Sequence, residues 1–360
     1  MAERYIHPVA IGPVRLANNL LLAPMAGFTN VAFRLIAKEV GGCGLVATEM
    51  VAAIGRVQGG GAEQRFLTLT RNVPAERPIA MQVYGREPEL CAQTAIALEK
   101  AGADLIDLNC GCPVRKAQQA GCGVAMMRDP AQVGRVLQAM VAAVRVPVTV
   151  KMRLGASASN RNAVEVAHAA LESGVQAVTV HARTGESKHG MPVDLSGLKE
   201  VKDFVRAARG DAVPVFANGS MDTAAAIRAA KDEAGVDGYM IGRAACGDPW
   251  LFRNLMAELG GGGGRYDPSH AERRALLLRH FDLIVELFGE ARGVRVMRKY
   301  TFFYCNGLPG VRRFRDRFCR IESRAAFVEL VDDFFAALAR GDHAGDQAEH
   351  LTLGGDDGEA

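Results

Sequence analysis

The sequence contains no apolar run that approaches the length of a membrane span, which argues against an integral membrane protein. Its first residues, MAERYIHPVAIG, also lack the apolar core of a secretory signal peptide. Without such a signal, the eight cysteines are expected to be free thiols in a reducing compartment. We therefore predict a cytoplasmic protein without membrane contact, and no feature of the sequence indicates an obligate protein partner.

The cysteines also lack the spacing of a zinc site. Cys110, Cys112 and Cys122 follow the pattern C-x-C-x9-C. Zinc sites favour cysteines separated by two to four residues, followed by a second pair or by histidines. We therefore predict that the protein has no metal site.

The net charge is small, at +3, and the composition of 49% hydrophobic and 23% charged residues is that of a globular protein. The 40 glycines follow no G-x-y period, which excludes a collagen-like chain and indicates many tight loops. With 360 residues, the chain is long enough for one large domain and a small one.

Short apolar runs alternate with helical segments over roughly the first 250 residues. The runs are Leu20–Ala23, Leu45–Thr48, Ile79–Val83, Asp104–Leu108, Pro147–Val150, Ala177–Val180, Pro214–Ala217 and Gly238–Ile241. The clearest helical segments between them are Pro88–Ala101, Ala131–Val144, Ala163–Ser173 and Thr223–Ala234. Eight such repeats predict an α/β fold, a (β/α)8 TIM barrel. An open doubly wound sheet is the alternative, but the loop Pro24-Met25-Ala26-Gly27 lacks the G-x-G-x-x-G expected after its first strand.

Polar residues stand where six of these runs end. They are Gln82, Asn109, Lys151, His181, Asn218 and Arg243. Taken singly, a lysine or histidine at a strand end is more often solvated or a cap than catalytic. In a barrel, however, the C-terminal ends of all strands meet at one rim, where active sites form. If the fold is a barrel, these six side chains are therefore expected to converge at that rim.

The segment Asp107-Leu108-Asn109-Cys110-Gly111-Cys112-Pro113 places two thiols directly after an apolar run. Gly111 frees the backbone and Pro113 has no N–H for a ladder, so the run ends in a tight loop. A thiol there can act as a nucleophile, a metal ligand or a proton donor. A buried free cysteine instead behaves as a small hydrophobe, and this pattern alone leaves both interpretations open.

The loops after the seventh and eighth runs, Asn218-Gly219-Ser220 and Ile241-Gly242-Arg243, are where barrels commonly bind phosphate. We therefore expect a phosphate-bearing cofactor or substrate. Lys151 would then stabilise negative charge on a reduced cofactor ring, and Gln82 and Asn109 would suit an amide-rich ring. Cys112 would lie above that ring as a proton donor.

A run of five glycines, residues 260–264, predicts a linker that cannot hold a helix. We therefore expect a barrel domain over residues 1–259 and a small all-helical C-terminal domain over residues 265–340. Its helices are predicted at Ser269–Phe288, Val294–Tyr304, Arg312–Arg320 and Arg324–Ala339, the first with a capping box formed by Ser269 and Glu272. Residues 341–360 are acidic without any lysine or arginine, and we predict that this tail is disordered.

The helical domain is strongly basic in one segment. Between residues 291 and 324 only Asp316 and Glu322 are acidic, whereas arginines and Lys299 recur throughout. Aromatic residues are interleaved: Tyr300, Phe302, Phe303, Tyr304, Phe314 and Phe318. Basic residues with aromatics suit phosphate contacts and base stacking in nucleic acid. The aromatic residues could equally form the core of the helical domain.

Several segments, read together, resemble the tRNA-dihydrouridine synthases, which are flavin-dependent enzymes, and most closely their bacterial B-type branch. The segments are LLAPMAGFTN, PIAMQVYG, DLNCGCPVRK, VTVKMRLG, VTVHART, FANGSMD, MIGRAACGDPWLF and, in the helical domain, MRKYTFFYCNGLPG. The resemblance runs from about Ile6 to Phe335. It implies bound FMN, NADPH or NADH as reductant, and reduction of the C5–C6 double bond of uridines in tRNA to 5,6-dihydrouridine.

The resemblance also implies residue roles. Cys112 would be the general acid that protonates C5 after hydride reaches C6. Independently of the resemblance, we predict that Asn109 contacts the substrate. The residues implied at FMN are Pro24, Met25, Ala26, Gln82, Lys151, Asn218, Gly219, Ser220, Gly242 and Arg243, with His181 close by. Two positions depart from the family pattern: Ser220 stands where an acidic residue is common, and Cys122 where a smaller residue is common.

For tRNA binding we expect a set of basic residues that flank the turn Asn306-Gly307-Leu308-Pro309-Gly310. They are Arg295, Arg298, Lys299, Arg312, Arg313 and Arg315.

Two other functions would account for parts of the sequence. A flavin barrel that acts on a free pyrimidine or another small molecule, as dihydroorotate dehydrogenases do, would need no basic helical domain. A tRNA-binding protein without catalysis would need neither Cys112 nor Lys151, and both are present.

Overall fold

The computed structural model of the chain describes residues 4–53, 60–188 and 190–342, apart from the side chain of Phe302. The strands of its main sheet are β3 (Leu20–Leu22), β4 (Val46–Ala47), β6 (Ile79–Tyr84), β7 (Leu105–Cys110), β8 (Val148–Arg153), β9 (Val178–His181), β10 (Val215–Asn218) and β11 (Gly238–Ile241). They are parallel and lie in the order β3-β11-β10-β9-β8-β7-β6-β4. Two further strands, β1 (Val9–Ile11) and β2 (Val14–Leu16), form an antiparallel hairpin, and β5 (Val51–Ala52) pairs with β6.

The two ends of the sheet meet between β3 and β4. Leu21 and Leu45 form a parallel bridge. The Leu22 N–H donates to the Leu45 carbonyl at 2.8 Å, and the Gly44 N–H donates to the Leu20 carbonyl at 2.8 Å. The barrel is therefore closed, and the prediction of a TIM barrel is confirmed over that of an open sheet.

Helices follow the strands around the outside of the barrel. They are α1 (Val31–Val40), α2 (Gly60–Thr70), α3 (Pro88–Lys100), α4 (Arg115–Gln119), α5 (Pro130–Ala143), α6 (Ala163–Glu172), α7 (Leu195–Arg209), α8 (Ala224–Ala234), α9 (Arg243–Gly247) and α10 (Leu251–Gly260). Several begin where a side chain caps the first turn. The Asp129, Asp194 and Thr223 side chains accept hydrogen bonds from backbone N–H groups three residues on.

The barrel interior is a packed core. Leu21, Leu105, Phe216 and Met240 are buried there, and Ile11 of the β1–β2 hairpin packs against them. A second apolar layer lies between the strands and the surrounding helices. Because the strands are buried on both faces, they appear in the sequence as continuous apolar runs rather than as alternating ones.

The C-terminal helices are α11 (His270–Phe288), α12 (Glu290–Cys305), α13 (Val311–Phe318) and α14 (Arg324–Arg340). The predicted capping box is present, since Ser269 and Glu272 exchange hydrogen bonds. One expectation about the glycine run is wrong. Gly260 is the last helical residue of α10, because Gly261 adopts a left-handed φ of +72° and caps the helix through the Ala257 carbonyl.

An aromatic cluster joins the helical domain to the barrel. The ring of Tyr300 lies 5.7 Å from that of Phe33 in α1 and 4.6 Å from that of His280. The hydroxyl of Tyr304 lies 2.8 Å from His280 Nδ1. Burial lowers the pKa of His280 to about 3, so this imidazole is neutral. The two domains therefore share a buried interface rather than a flexible connection alone.

The acidic tail predicted to be disordered lies, from residue 343 onward, outside the described residues. Among the residues that the structure describes, no helix is both long and apolar enough to cross a membrane.

Candidate active site

The loop after β7 presents one thiol and buries the other. Cys110 is the last residue of β7 and is fully buried, which raises the pKa of its thiol well above the usual value. Cys112 is half-buried. The Asn109 carboxamide oxygen accepts hydrogen bonds from the Gly111 and Cys112 N–H groups at 3.0 and 2.9 Å. Of the two predicted alternatives, Cys110 is the small hydrophobe, and Cys112 is the thiol available for chemistry.

A second contact fixes the backbone of Cys112 from the opposite side. Its carbonyl accepts a hydrogen bond from the Val124 N–H at 3.0 Å. Gly123 has a φ of +61°, and a Cβ there would lie 2.6 Å from the Cys112 carbonyl oxygen. Only glycine fits this position, so the segment at residues 121–124 supports the thiol loop closely. Cys122, within that segment, is buried and directs its thiol to the Ala120 carbonyl.

Two amide side chains lie beneath the thiol loop. Gln82 in β6 and Asn109 in β7 are buried and joined by a hydrogen bond of 2.8 Å. Gln82 also donates to the Asp107 carboxyl at 2.7 Å. The structure therefore brings both predicted amides together. One donor of Asn109 and the acceptor of Gln82 are used in the bond between them rather than for a ligand.

Cationic side chains converge on the rim above β8, β9 and β11. Lys151 lies within β8, which continues to Arg153, so the expectation that the strand ends before Lys151 is wrong. Burial lowers the pKa of Lys151 to about 8, aided by the nearby charge of Arg153 and opposed by Asp107 and Cys112. Within the described chain, its ammonium makes no hydrogen bond or ion pair. The Lys151 ammonium is therefore available to bind an anionic ligand.

Two further arginines belong to this rim, and the sequence did not point to them. Arg153 is buried and donates to the Gly111 and Thr184 carbonyls at 2.8 and 2.7 Å. Burial lowers its pKa to about 10, and the charges of Arg183 and Arg243 contribute. Arg183 donates to the Ser220 hydroxyl at 2.8 Å and lies 3.3 Å from His181 Nε2.

A period-two reading of β8 would have found Arg153, which stands two residues after Lys151. Residues two apart in a strand lie on the same face. The same reading of β7 would have found Asp107, two residues before Asn109. Arg183 lies beyond the end of β9, where its N–H donates to the His181 carbonyl in a tight turn, so strand periodicity does not apply to it.

The predicted phosphate loops have backbone shapes that few residues adopt. Gly219 has a φ of +98°, and a Cβ there would lie 2.6 Å from His181 Cδ2. Ser220 has a φ of +52°, uncommon for a residue with a side chain. Asn218 donates to the Met240 carbonyl at 2.8 Å, which ties β10 to β11 below these loops.

The loop after β3 forms the neighbouring part of the rim. Pro24 and Met25 are half-buried and Ala26 is exposed. A Cβ at Gly242 would lie 3.7 Å from the Met25 sulfur, so the two loops are in contact distance of each other. Arg243, directly after Gly242, is exposed at the start of α9.

The basic residues of the helical domain fall into two groups. Arg295, Arg312 and Arg313 are exposed. Arg315 is half-buried and lies 3.6 Å from Asp316. Arg298 donates to the Ile321 carbonyl at 3.1 Å, and Lys299 donates to the Gly27 carbonyl of the barrel. The structure therefore does not bring the six predicted residues together on one open surface.

The interleaved aromatic residues with described side chains form the core of the helical domain. They are Tyr300, Phe303, Tyr304, Phe314 and Phe318, all buried. Phe318 lies 5.0 Å from Phe327 of α14, between ring centroids. These rings are not available for stacking on bases in this structure.

A closed parallel barrel with a thiol loop and a cationic rim at the C-terminal ends of its strands defines a TIM-barrel enzyme. A family model described as "Dihydrouridine synthase (Dus)" matches residues 21–339. The chain belongs to the dihydrouridine synthase family, an oxidoreductase family, as its resemblance predicts.

Individual relatives are similar over nearly their whole length. The "tRNA-dihydrouridine synthase B" of Pseudomonas aeruginosa is 38% identical over 328 residues, which cover 91% of this chain and 96% of the relative. The "Probable tRNA-dihydrouridine synthase" of Rickettsia prowazekii is 34% identical over 330 residues, covering 92% and 98%. Among solved structures, a 2-naphthoyl-CoA reductase has a TM-score of 0.53 at 12% identity, over 72% of this chain and 53% of its own. That similarity shows the shared fold.

Proposed function

We propose that this protein is an FMN-dependent tRNA-dihydrouridine synthase. It reduces the C5–C6 double bond of specific uridines in tRNA to 5,6-dihydrouridine, with NADPH or NADH as the reductant, in the cytoplasm. The observation that carries the proposal is the position of Cys112, a half-buried thiol at the barrel rim, directly after Gly111, whose carbonyl accepts a hydrogen bond from the buried cation Arg153. Membership of the dihydrouridine synthase family and the names of the relatives support the same reaction.

The chemistry of the rim fits the phosphate of FMN. Arg153 and Arg183 each have their pKa lowered by burial and by the charge of Arg243, so the cations repel one another. A bound phosphate would relieve that repulsion and form charge-assisted hydrogen bonds. Gly219, Ser220 and Gly242 would contribute backbone N–H groups, with the side chains of Asn218 and His181 supporting their loop.

The remaining predicted cofactor residues surround the space between this rim and the thiol loop. Pro24, Met25 and Ala26 would contact one side of the ring system, and the free N–H of the Gln82 amide would face a polar edge. Lys151 would stabilise the negative charge that a flavin acquires on reduction. When bound, the flavin supplies the hydride that adds to C6 of uracil.

The thiol of Cys112 supplies the second hydrogen. Its proton passes to C5 as the C6–H bond forms, so one hydride and one proton saturate the double bond. Asn109 holds the Cys112 backbone, and its second amide N–H, which donates weakly to the Met50 sulfur at 3.7 Å, would turn to the substrate instead. The uridine must first leave its stack to reach the barrel mouth, at a cost of a few kcal/mol.

The helical domain, residues 265–340, would bind the tRNA backbone. Arg295, Arg312 and Arg313 are the exposed candidates, and Arg315 is a half-buried one. Phosphate contacts of this kind give affinity without sequence readout. An enzyme for a free pyrimidine would gain nothing from them, which favours tRNA as substrate.

The proposal is tested by incubating the FMN-loaded protein and NADPH with unmodified tRNA, and separately with free uridine, and measuring dihydrouridine. We expect product on tRNA alone. Cys112→Ala should lower turnover by ~10²–10⁴-fold without loss of FMN, because acid catalysis is removed. Cys110→Ala, the matched control, should leave turnover nearly unchanged. A dispensable Cys112 with an essential Cys110 would overturn the assignment, as would equal activity on free uridine.

A further inference from the structure

A chain of hydrogen bonds connects a buried carboxyl group to the thiol loop. Gln82 in β6, Asp107 in β7 and Thr149 in β8 lie side by side in register. Asp107 accepts hydrogen bonds from Gln82 Nε2 at 2.7 Å and from the Thr149 hydroxyl at 2.6 Å. Gln82 Oε1 accepts from Asn109 Nδ2 at 2.8 Å, and Asn109 Oδ1 accepts from the Cys112 N–H at 2.9 Å.

The donors at Gly111 and Cys112 fix which atom of each amide in this chain donates and which accepts. The Gly111 and Cys112 N–H groups can only donate, so the Asn109 oxygen must face them. Its amide nitrogen then faces Gln82, which must present its oxygen to Asn109. The Gln82 nitrogen consequently faces Asp107, which must accept. Each amide could rotate by half a turn in isolation, but the chain as a whole tolerates one arrangement.

A fixed acceptor is therefore required at its lower end, and position 107 provides it. Asp107 is 6% exposed, with both oxygens used. Apolar residues surround it below, where Leu21, Leu105, Phe216 and Met240 line a small cavity in the barrel. Lys151, opposite Asn109 and one layer above, is the cation whose charge acts on Asp107. No other described carboxyl group contacts the chain.

We propose that Asp107 is a positioning residue for the proton donor: it fixes the orientation of the Gln82 and Asn109 amides and thereby the backbone of Cys112. The carboxyl group acts as a hydrogen-bond acceptor in this role, and its negative charge is not required. This inference deepens the proposed function and rests on it only for the turnover measurement. The placement of the Cys112 thiol can be measured without substrate.

Three substitutions separate the acceptor from the charge. Asp107→Leu has a similar size, suits the apolar surroundings and removes the acceptor. Asp107→Asn removes the charge but can still present an oxygen to Gln82 and an N–H to the Thr149 hydroxyl. Thr149→Val, the matched control, removes the other hydrogen bond of Asp107 and leaves the chain to Cys112 intact.

The first measurement is the rate of alkylation of Cys112 by iodoacetamide, followed by peptide mass spectrometry because the exposed Cys319 will react as well. Asp107→Leu should raise that rate several-fold, since the loop loses the anchored Asn109, whereas Asp107→Asn and Thr149→Val should match the wild type. If Asp107→Leu does not fold, Gln82→Met interrupts the same chain one link higher and should give the same rise. An unchanged rate in whichever variant folds would overturn the proposal.

The second measurement is turnover on tRNA. Asp107→Leu should lower kcat by about 10²-fold, the effect of misplacing a reacting group by about 1 Å, while Asp107→Asn restores it to near the wild-type value. Equal losses in the Asn and Leu variants would show that the charge matters and would overturn the proposal. Failure of the proposed function would instead appear as inactivity of the wild type with the alkylation pattern intact.

Discussion

The ammonium group of Lys299, in helix α12 of the helical domain, donates a hydrogen bond to the backbone carbonyl of Gly27 in the barrel. The same ammonium lies 4.9 Å from the centre of the Phe28 ring. The neighbouring Tyr300 hydroxyl donates to the Phe28 carbonyl at 2.6 Å. These contacts hold the loop that contains Pro24, Met25 and Ala26. The helical domain thus supports a part of the barrel rim proposed to bind FMN.

Lys299→Met should therefore weaken FMN binding by about tenfold, because the loop loses a charge-assisted hydrogen bond. It should leave the salt dependence of tRNA binding unchanged, since this ammonium faces the barrel. Fluorescence titration with FMN and filter binding of tRNA measure the two effects. Arg295→Gln is the matched control: it should leave FMN affinity unchanged and make the salt dependence of tRNA binding less steep. If Lys299→Met instead flattens the salt dependence and leaves FMN affinity unchanged, Lys299 contacts RNA, as the sequence predicts, and does not support the FMN loop.

FMN binding should also depend on the charge of Lys151. Its folded pKa is about 8, so the ammonium form prevails below that pH and is lost as the pH rises through it. FMN affinity of the flavin-free protein should consequently fall between pH 7 and pH 9. Lys151→Met, which keeps an apolar stem of similar length, should flatten this dependence.

In the same variant the reduction potential of bound FMN should fall, because a cation beside the reduced ring is missing. Spectroelectrochemical titration at pH 7 measures it against the wild type. An unchanged potential would mean that the Lys151 ammonium does not lie beside the ring.

The exposed arginines of the helical domain should control the salt dependence of tRNA binding. Replacing Arg295, Arg312 and Arg313 together by glutamine should reduce the slope of log K against log salt by about 2–3, at ~0.7–0.9 per phosphate contact. NADPH oxidation by the bound flavin should not change. The control is a triple replacement of Arg15, Arg135 and Arg206, which are exposed on the barrel. Equal slopes for both triple variants would refute a specific role of the helical domain.

The buried imidazole of His280 should make the protein sensitive to acid. Its folded pKa is about 3, whereas an unfolded chain binds the proton near pH 6.5. Its contribution to stability is complete above pH 6.5 and is lost as the pH falls from there toward 3. At pH 5 the loss is about 2 kcal/mol. Urea unfolding should show a smaller fall in stability between pH 7 and pH 5 for His280→Gln than for the wild type, and equal falls would contradict this.

Much of the fold was accessible from the sequence because local signals agree with the tertiary arrangement. The eight apolar runs correspond to the eight barrel strands, since strands buried on both faces need no alternation. Ser269 and Glu272 marked the start of α11 because a capping box is a purely local structure. The short strands β1, β2 and β5 carry too few residues for such a signal, and they were not predicted.

The sequence by itself determined the barrel, the thiol loop and the basic character of the C-terminal helices. Only the tertiary structure decided which thiol is buried, because Cys110 and Cys112 differ in depth and not in chemistry. It also decided that the turn after β9 brings Arg183 to the rim and that Asp107 ends the amide chain. Lys299 contacts the barrel rather than solvent for the same reason: which partner a side chain meets depends on how distant elements pack, and that information is not local.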